Sequence, residues 1–472
     1  MARKKVRKAG GRAQAQRQAV QRQQAKRQQM QRQQMSGKQV ERQQIERERA
    51  KRQQEGQRRE QLLMQQRQEM QERQEMLRRQ QMQMRGEPEQ EEERRKKKAR
   101  RFYDYDLLVV IIFLTAFGLI MIYSSSAYNA QVSGQPSTYY MIRQGGIAVV
   151  GFIMMLIISK IDYHFFAKFA VPAVVVSYIC EFLVTFTPLG IAVNGKKRWL
   201  GTRSLRFQPA ELVKIVMILF LAVVITRLGK RINEWRVWGM LAVLLGPLAL
   251  FVMLNNLSSG IIICGIAFVM MFVACKRKWP FILVVVVLIV VIVFAPPVAI
   301  AMEKAGILHS YQLSRILVWK NPEAYPKSGG YQVLQGLYAI GSGGLLGKGL
   351  GQSIQKLSFL PEPQNDMIFA VICEELGLFG AIAVIFMFLF MLYRFLVIAG
   401  NAPDLFGAML VTGVLAHIAI QVVLNIAVVT NVIPNTGITL PFFSYGGTSV
   451  LFLMVEMGMV LSVSNRIRLE QA

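Results

Sequence analysis

"RRKKKARRFYDYDLLVVIIFLTAFGLIMIY", residues 94–123, joins two kinds of polypeptide. Seven basic residues in its first eight positions give way to an uncharged run from Leu107 to Tyr123. Everything before this junction is polar. Residues 1–101 hold 31 Lys/Arg against 13 Asp/Glu, a net of +18, in Gln/Arg/Met-rich low complexity such as "RQQMQRQQM" and "RQEMQERQEM". Such residues favour helix, but their apolar stripe is too thin to specify a packed core. Residues 1–101 therefore read as a disordered or partly helical cytoplasmic tail. Its last basic cluster abuts an apolar run, where each Lys/Arg gains about 1 kcal/mol beside an anionic leaflet. Anionic lipid accounts for that cluster, so no nucleic-acid partner is expected. No cleavable signal peptide is expected either, because the first hundred residues are charged throughout.

From residue 106 onward, apolar runs recur at lengths near the ~20 residues that cross a ~30 Å hydrocarbon core. They fall at about 106–123, 145–159, 168–187, 211–227, 238–254, 260–275, 280–300, 367–392, 405–428 and 449–464. Long runs without alternation predict helices rather than a barrel. The expected fold over 102–472 is an all-α polytopic membrane domain of about ten transmembrane helices. A long extracytoplasmic loop, 301–366, lies between the seventh and eighth. An even number of crossings puts both termini on one side. With the tail inside, Lys160, Lys168, Arg227, Lys230, Arg231, Arg236, Lys276, Arg277, Lys278, Arg394, Arg466 and Arg468 fall on the inner loops and ends, as the positive-inside rule requires. The expected location is a membrane.

The opposite side is also basic, in "NGKKRWLGTRSLRF" (194–207) and in 301–366, where Lys304, Arg315, Lys320, Lys327, Lys348 and Lys356 lie. Topology does not need these charges; they point to an anionic ligand. The four cysteines lack zinc or redox spacing, and the three histidines are scattered singly. A histidine- or cysteine-built metal site is not expected.

Several segments between the runs carry candidate chemistry. "AIGSGGLLGKGLGQS" (339–353) is glycine-rich enough to offer backbone N–H groups to phosphate oxygens, with Lys348 adding charge, or to lie flat on the helices. No Ser or Thr follows the lysine, so it is not a P-loop. In "PEPQNDMIFAVICEELGLFG" (361–380) Asp366 is a candidate helix cap, while Glu374 and Glu375 lie about 12 Å into the eighth run. Carboxylates at that depth must pair, protonate or face a water-filled cavity. "RFQPAELVK" places Glu211 and Lys214 at i,i+3 on one face, which suits an internal ion pair. "NVIPNTGITLPFFSYGGTS" (431–449) reads as a re-entrant loop lining a cavity, since non-helical backbone at membrane depth needs protein or water to satisfy it.

Together "NGKKRWL", "QPAELVK", "GGYQVLQGLYAIGSGGLLGKGLGQS", "LPEPQNDMIFAVICEELG" and "PNTGITLPFFSYGGTS" resemble, in order, the motifs of the SEDS family (shape, elongation, division and sporulation), which includes FtsW and RodA. The resemblance covers residues 106–466 and leaves the tail without a counterpart. It implies a bacterial ten-helix glycosyltransferase that polymerises lipid II at the outer face of the cytoplasmic membrane, serving division, shape or sporulation. The usual partner is a class B penicillin-binding transpeptidase. An acceptor sugar hydroxyl attacks the donor's anomeric carbon and undecaprenyl pyrophosphate departs. That chemistry needs a base and positive charge, and a divalent cation (Mg or Mn) could assist. The matching positions assign substrate binding to Lys197, Arg198, Gln332, Lys348, Lys356, Asp366, Ser444, Gly446 and Gly447. Glu211, Lys214, Glu374 and Glu375 are assigned a structural or cavity-lining role.

One departure from the resemblance bears on the base. Relatives carry an aspartate where "WKNPEAYPKSGGYQ" (319–332) has Asn321 or Tyr325, and another where this chain has Asn256. Neither Asn nor Tyr replaces a carboxylate base at neutral pH. Glu323 is the only acid of that stretch and is the expected base, with Asp366, Glu362 and Glu375 as alternatives. Two other functions fit the same chain: a flippase for lipid-linked precursors, and a non-catalytic scaffold for the transpeptidase.

Overall fold

The computed structural model describes residues 62–78, 100–101, 103–193, 196–201, 206–304 and 311–469. The chain divides into two units, Met1–Lys98 and Ala99–Ala472. Of the first, the described residues form a helix over 62–78 with every side chain exposed. That matches what its composition dictates, since nothing there can bury a face.

The second unit is nearly all helix. Its elements in order are β1 Arg100–Arg101, α1 Tyr105–Val132, α2 Tyr139–Lys160, α3 Ala170–Phe186, β2 Gly190–Val193, β3 Lys196–Gly201, β4 Arg206–Phe207, α4 Pro209–Leu228, α5 Trp235–Asn255, α6 Leu257–Ala274, α7 Trp279–Lys304, α8 Tyr311–Lys320, α9 Gly330–Gly343, α10 Ile368–Gly400, α11 Leu405–Val429, α12 Thr448–Ser464 and β5 Arg468–Leu469. The ten apolar runs coincide with α1–α7 and α10–α12. Eight of these helices are long and apolar enough to cross a membrane, and α3 and α12 are apolar helices of 17 residues.

Local sequence sets the helix ends. Asp104 caps α1 by accepting from the Leu107 amide, Asp404 caps α11 at Gly407 N, and Pro209 occupies the first turn of α4, where its missing N–H costs nothing. Asp104 is fully buried and also accepts both Arg394 Nε and Nη2, a forked pair of 3.1 and 2.8 Å that ties α1 to α10. Its own amide donates to Ser464 Oγ, and β1 pairs antiparallel with β5. The two ends of the membrane unit are thereby fastened together on one face, the terminal face. The opposite face carries the long connections and is the loop face.

α4 forms the centre, with α3, α6 and α11 packed around it; α10 packs on α1, α9 and α11, and α2 on α12. The α2–α12 contact is close because Gly458 meets the backbone of Met155. α7 behaves differently: residues 282–294 are exposed throughout, and α8 is its main neighbour. Its Val/Ile/Leu surface is what a lipid-facing helix presents.

Two parts of the loop face differ from a plain loop. β2, β3 and β4 form an antiparallel sheet over the basic 190–207 stretch. Within 301–366, α9 buries Val333, Gly336, Ala339 and Gly343, one stripe at helical spacing.

Candidate active site

The loop between α11 and α12 descends into the bundle. A Cβ added at Gly118, about 20 Å along α1, would stand 2.3 Å from the Phe442 carbonyl, so only glycine admits the loop there. Phe443 packs edge-on against Phe117. Phe442 holds a positive φ of 66°, and positive φ recurs at Asn431 in the same loop and at Glu362 in the connection before α10. Non-glycine residues in this region cost of order 1–3 kcal/mol each, and the packing around them must supply it.

This loop is knitted to the connection before α10. The Tyr445 amide donates to Gln364 O at 2.8 Å, and Ser444 Oγ to Asn365 O at 2.7 Å. Asn425, fully buried on α11, donates to both Asp366 O and Ile438 O. Gln332 Oε1 accepts from Asn435. From α2, buried Gln144 accepts the Gly447 amide at 3.2 Å and donates to Ser444 O. Ser444, Gly447, Gln332 and Asp366 thus stand at one junction, with Gly446 between its two hydrogen-bonded neighbours.

Asp366 does not cap α10; Met367 occupies that position without a side-chain bond. Its side chain is half-buried, yet the surrounding protein desolvates the carboxyl enough to push its pKa up to about 7. Nearby Glu362 raises it further, and Arg315 on α8 opposes the shift. Glu323 has a different setting. It is exposed on the single 3₁₀ turn Pro322–Ala324, which Asn321 caps through the Ala324 amide. Asn256 likewise serves as a cap, for α6. Both asparagines cap locally, work that an aspartate could do equally well, so the substitutions keep the cap and lose the carboxylate.

Lys348 and Lys356 turn away from the junction. Lys348 Nζ lies 2.7 Å from Glu374 Oε1, and Lys356 Nζ 2.7 Å from Glu375 Oε1. Both carboxylates are fully buried. Glu374 also accepts from the Ile354 and Gln355 amides, and Ser124 Oγ on α1 donates to Glu375 at 2.6 Å while accepting from Lys356. The glycine run lies on α10 backbone to backbone: the Lys348 and Gly349 amides donate to Glu374 O and Glu375 O. A Cβ at Gly343 would stand 2.0 Å from the Cys373 carbonyl, and α10 breaks at Gly377, whose φ is 65°. Close apposition therefore uses these glycines.

In the sheet, Lys197 donates to Thr187 O and Arg198 to Asn255 O, so each meets the last carbonyls of a helix. Glu211 and Lys214 form the i,i+3 ion pair at 2.8 Å, with Lys214 almost wholly buried. Among the described residues no three His, Cys, Asp or Glu side chains cluster to hold a metal, and all four cysteines are free.

Sequence reasoning passed over Gln144, His417, Gln421, Asn425 and Glu456. His417, Gln421, Asn425 and Glu456 are polar residues inside apolar runs, which is the available signal, while Gln144 stands beside Arg143 just before one. His417, Gln421 and Asn425 also repeat every four residues, hence on one face of α11.

A bundle of membrane-length apolar helices, with a re-entrant loop and an acid at its mouth, defines a multi-pass membrane protein with a site on one face. The chain belongs to the FtsW/RodA/SpoVE family, described as cell cycle proteins, whose profile matches residues 105–469. It is 37% identical over 366 residues to stage V sporulation protein E of Bacillus subtilis (strain 168), covering 76% of this chain and 96% of that protein. To the probable peptidoglycan glycosyltransferase FtsW of Trichlorobacter lovleyi it is 36% identical over 370 residues, covering 78% and 94%. Among solved structures, it superposes on a chain from "Structural coordination of polymerization and crosslinking by a peptidoglycan synthase complex" with a TM-score of 0.62 and 26% identity, over 77% of this chain and 97% of that one. The rod shape determining protein RodA of Thermus thermophilus shares the fold at a TM-score of 0.56 and 24% identity, over 77% and 97%.

Proposed function

We propose that this chain is a peptidoglycan glycosyltransferase that polymerises lipid II at the outer face of the bacterial cytoplasmic membrane, with both termini in the cytoplasm. The near-complete coverage of relatives named for that activity supports the reaction class. The observation that carries the mechanism is Asp366: a desolvated carboxyl near neutrality, where two loops meet within the electrostatic influence of the Arg315 guanidinium.

In this reading Asp366 takes the proton of the acceptor sugar hydroxyl as its oxygen bonds to the donor's anomeric carbon. The bond from that carbon to the pyrophosphate oxygen breaks, and the lipid pyrophosphate leaves with the electron pair. A base titrating near 7 is matched to a reaction at neutral pH. Arg315 favours the ionised form of Asp366, and the same charge would favour the departing anion. A divalent cation (Mg or Mn) would be held by Glu362 with the substrate phosphates, since Mg²⁺ commonly needs only one or two carboxylates, and Asp366 would stay free as the base; no step here depends on a cation. A class B transpeptidase partner is part of the proposal, supported by the solved relative's occurrence in a synthase complex.

Glu323 is the second reading, favoured by its exposure on the loop face, where it could meet a substrate directly. The two are separated by polymerisation rates of D366N and E323A. Loss of roughly 10²–10⁴-fold in D366N with E323A active assigns Asp366; the reverse pattern assigns Glu323 and overturns the choice made here.

A further inference from the structure

Below the junction, α11 carries a second pair of titratable groups that the mechanism above does not use. His417 Nδ1 lies 2.8 Å from Glu456 Oε2 on α12, and His417 Nε2 lies 2.8 Å from Gln421 Oε1. All three side chains are at least nine-tenths buried. Gln421 Nε2 donates to the Thr439 carbonyl of the re-entrant loop at 3.0 Å. A carbonyl can only accept, so this bond fixes which way the amide points. Its oxygen then faces His417 and the Lys214 ammonium, 3.4 Å away.

The consequence for His417 is definite. An amide oxygen is an acceptor, so Nε2 must carry hydrogen. One further proton lies between Nδ1 and Glu456, either on the imidazole facing a carboxylate or on the carboxyl facing a neutral ring. In both arrangements Glu456 keeps the ring in the Nε2–H form. Without it, a neutral imidazole could take the Nδ1–H form and set a lone pair against the Gln421 oxygen. Glu211, His417, Gln421 and Thr439 border one cavity of about 20 Å³, room for a single water.

We propose that the His417–Glu456 pair is a positioning device for glycan synthesis. By fixing the tautomer of His417 it fixes Gln421, and Gln421 holds the re-entrant loop and the Lys214–Glu211 ion pair in the geometry the junction requires. Asn425, one turn further along the same face, joins that loop to the backbone of Asp366, so a loss of register at Gln421 reaches the base. The proposal rests on the glycosyltransferase reading.

The test uses the purified full-length chain in lipid II liposomes, with ¹⁵N-histidine NMR as a readout independent of activity. The chain has three histidines, and H417F identifies the relevant signal. The wild type is expected to show a protonated Nε2, and E456L to shift toward Nδ1–H. Loss of register of about 1 Å can cost on the order of 100-fold, so H417F and E456L are expected to lower kcat by roughly 10- to 100-fold while remaining folded. E456Q, whose amide can donate to Nδ1, is expected to recover most of the rate. The double variant H417F/E456L removes both partners of a buried pair, which by itself often leaves stability unchanged. A positioning role predicts that it stays slow, because Gln421 still lacks its donor. Recovery of the rate in the double variant, or wild-type rates in folded E456L, overturns the proposal. An unprotonated Nε2 in the wild type does so as well. Failure of the wild type to polymerise would instead overturn the glycosyltransferase reading, with the tautomer still measurable.

Discussion

Asp366 combines two conditions that seldom coincide on an exposed loop: protein on most sides of its carboxyl, and a route for solvent to the other. Burial lifts its pKa from 3.8 to about 7, so it is half-ionised near neutrality. As a base it must be ionised, and the polymerisation rate should rise with pH through about 7 and then level off. The sign for stability is opposite. Its folded pKa lies above its unfolded one, so its contribution to stability is complete below about 4 and is lost as pH rises through about 7. Thermal midpoints of wild type and D366N measured from pH 5 to 8 should therefore diverge, the wild type losing ground as pH rises; parallel curves would contradict the desolvated setting. Little of this was legible in the sequence. Asp366 reads there as a cap, a binding residue or one of three alternatives to Glu323 as base, and its raised pKa is hidden because desolvation depends on what folds over a side chain. Glu323 drew the expectation of a base by standing nearest to the substituted positions Asn321 and Tyr325, and the fold leaves it exposed on a turn.

Among the elements, the buried pairs Lys348–Glu374 and Lys356–Glu375 lock the glycine run to α10. Removing one partner leaves a charge without compensation, at a cost of about 3–5 kcal/mol. K356M should lower the unfolding midpoint accordingly, and K356M/E375M should regain most of the loss; a single variant as stable as the wild type would show that the pair does not carry the contact. G343A forces a Cβ into the Cys373 carbonyl and should cost about 1–3 kcal/mol in the same melt. The ten apolar runs were readable because a ~30 Å hydrocarbon layer imposes length and composition directly. The pairing need of Glu374 and Glu375 was readable too, from their depth. Their partners were not, since Lys348 and Lys356 come from a loop whose path is set by glycine contacts. The sheet at 190–207 was hidden by its charges, and the polar stripe of α11 by the hydrophobicity around it.

For the whole molecule, residues 105–469 account for the family match and for nearly the full length of the relatives, while the tail stands outside it. Deletion of residues 1–98 should leave polymerisation in liposomes unchanged; a loss would assign the tail a part in the reaction. The forked Arg394–Asp104 pair ties the start of α1 to α10, and R394M should lower the melting midpoint of the membrane unit for the same reason as K356M. The central claim concerns the outcome for a lipid-linked sugar, and one measurement reaches it directly. The purified wild-type chain is placed in liposomes with labelled lipid II on one leaflet, and glycan length and transfer between leaflets are both scored. The account predicts glycan strands that disappear in D366N; folded protein that moves lipid II across the bilayer without joining it, or does neither, would contradict it.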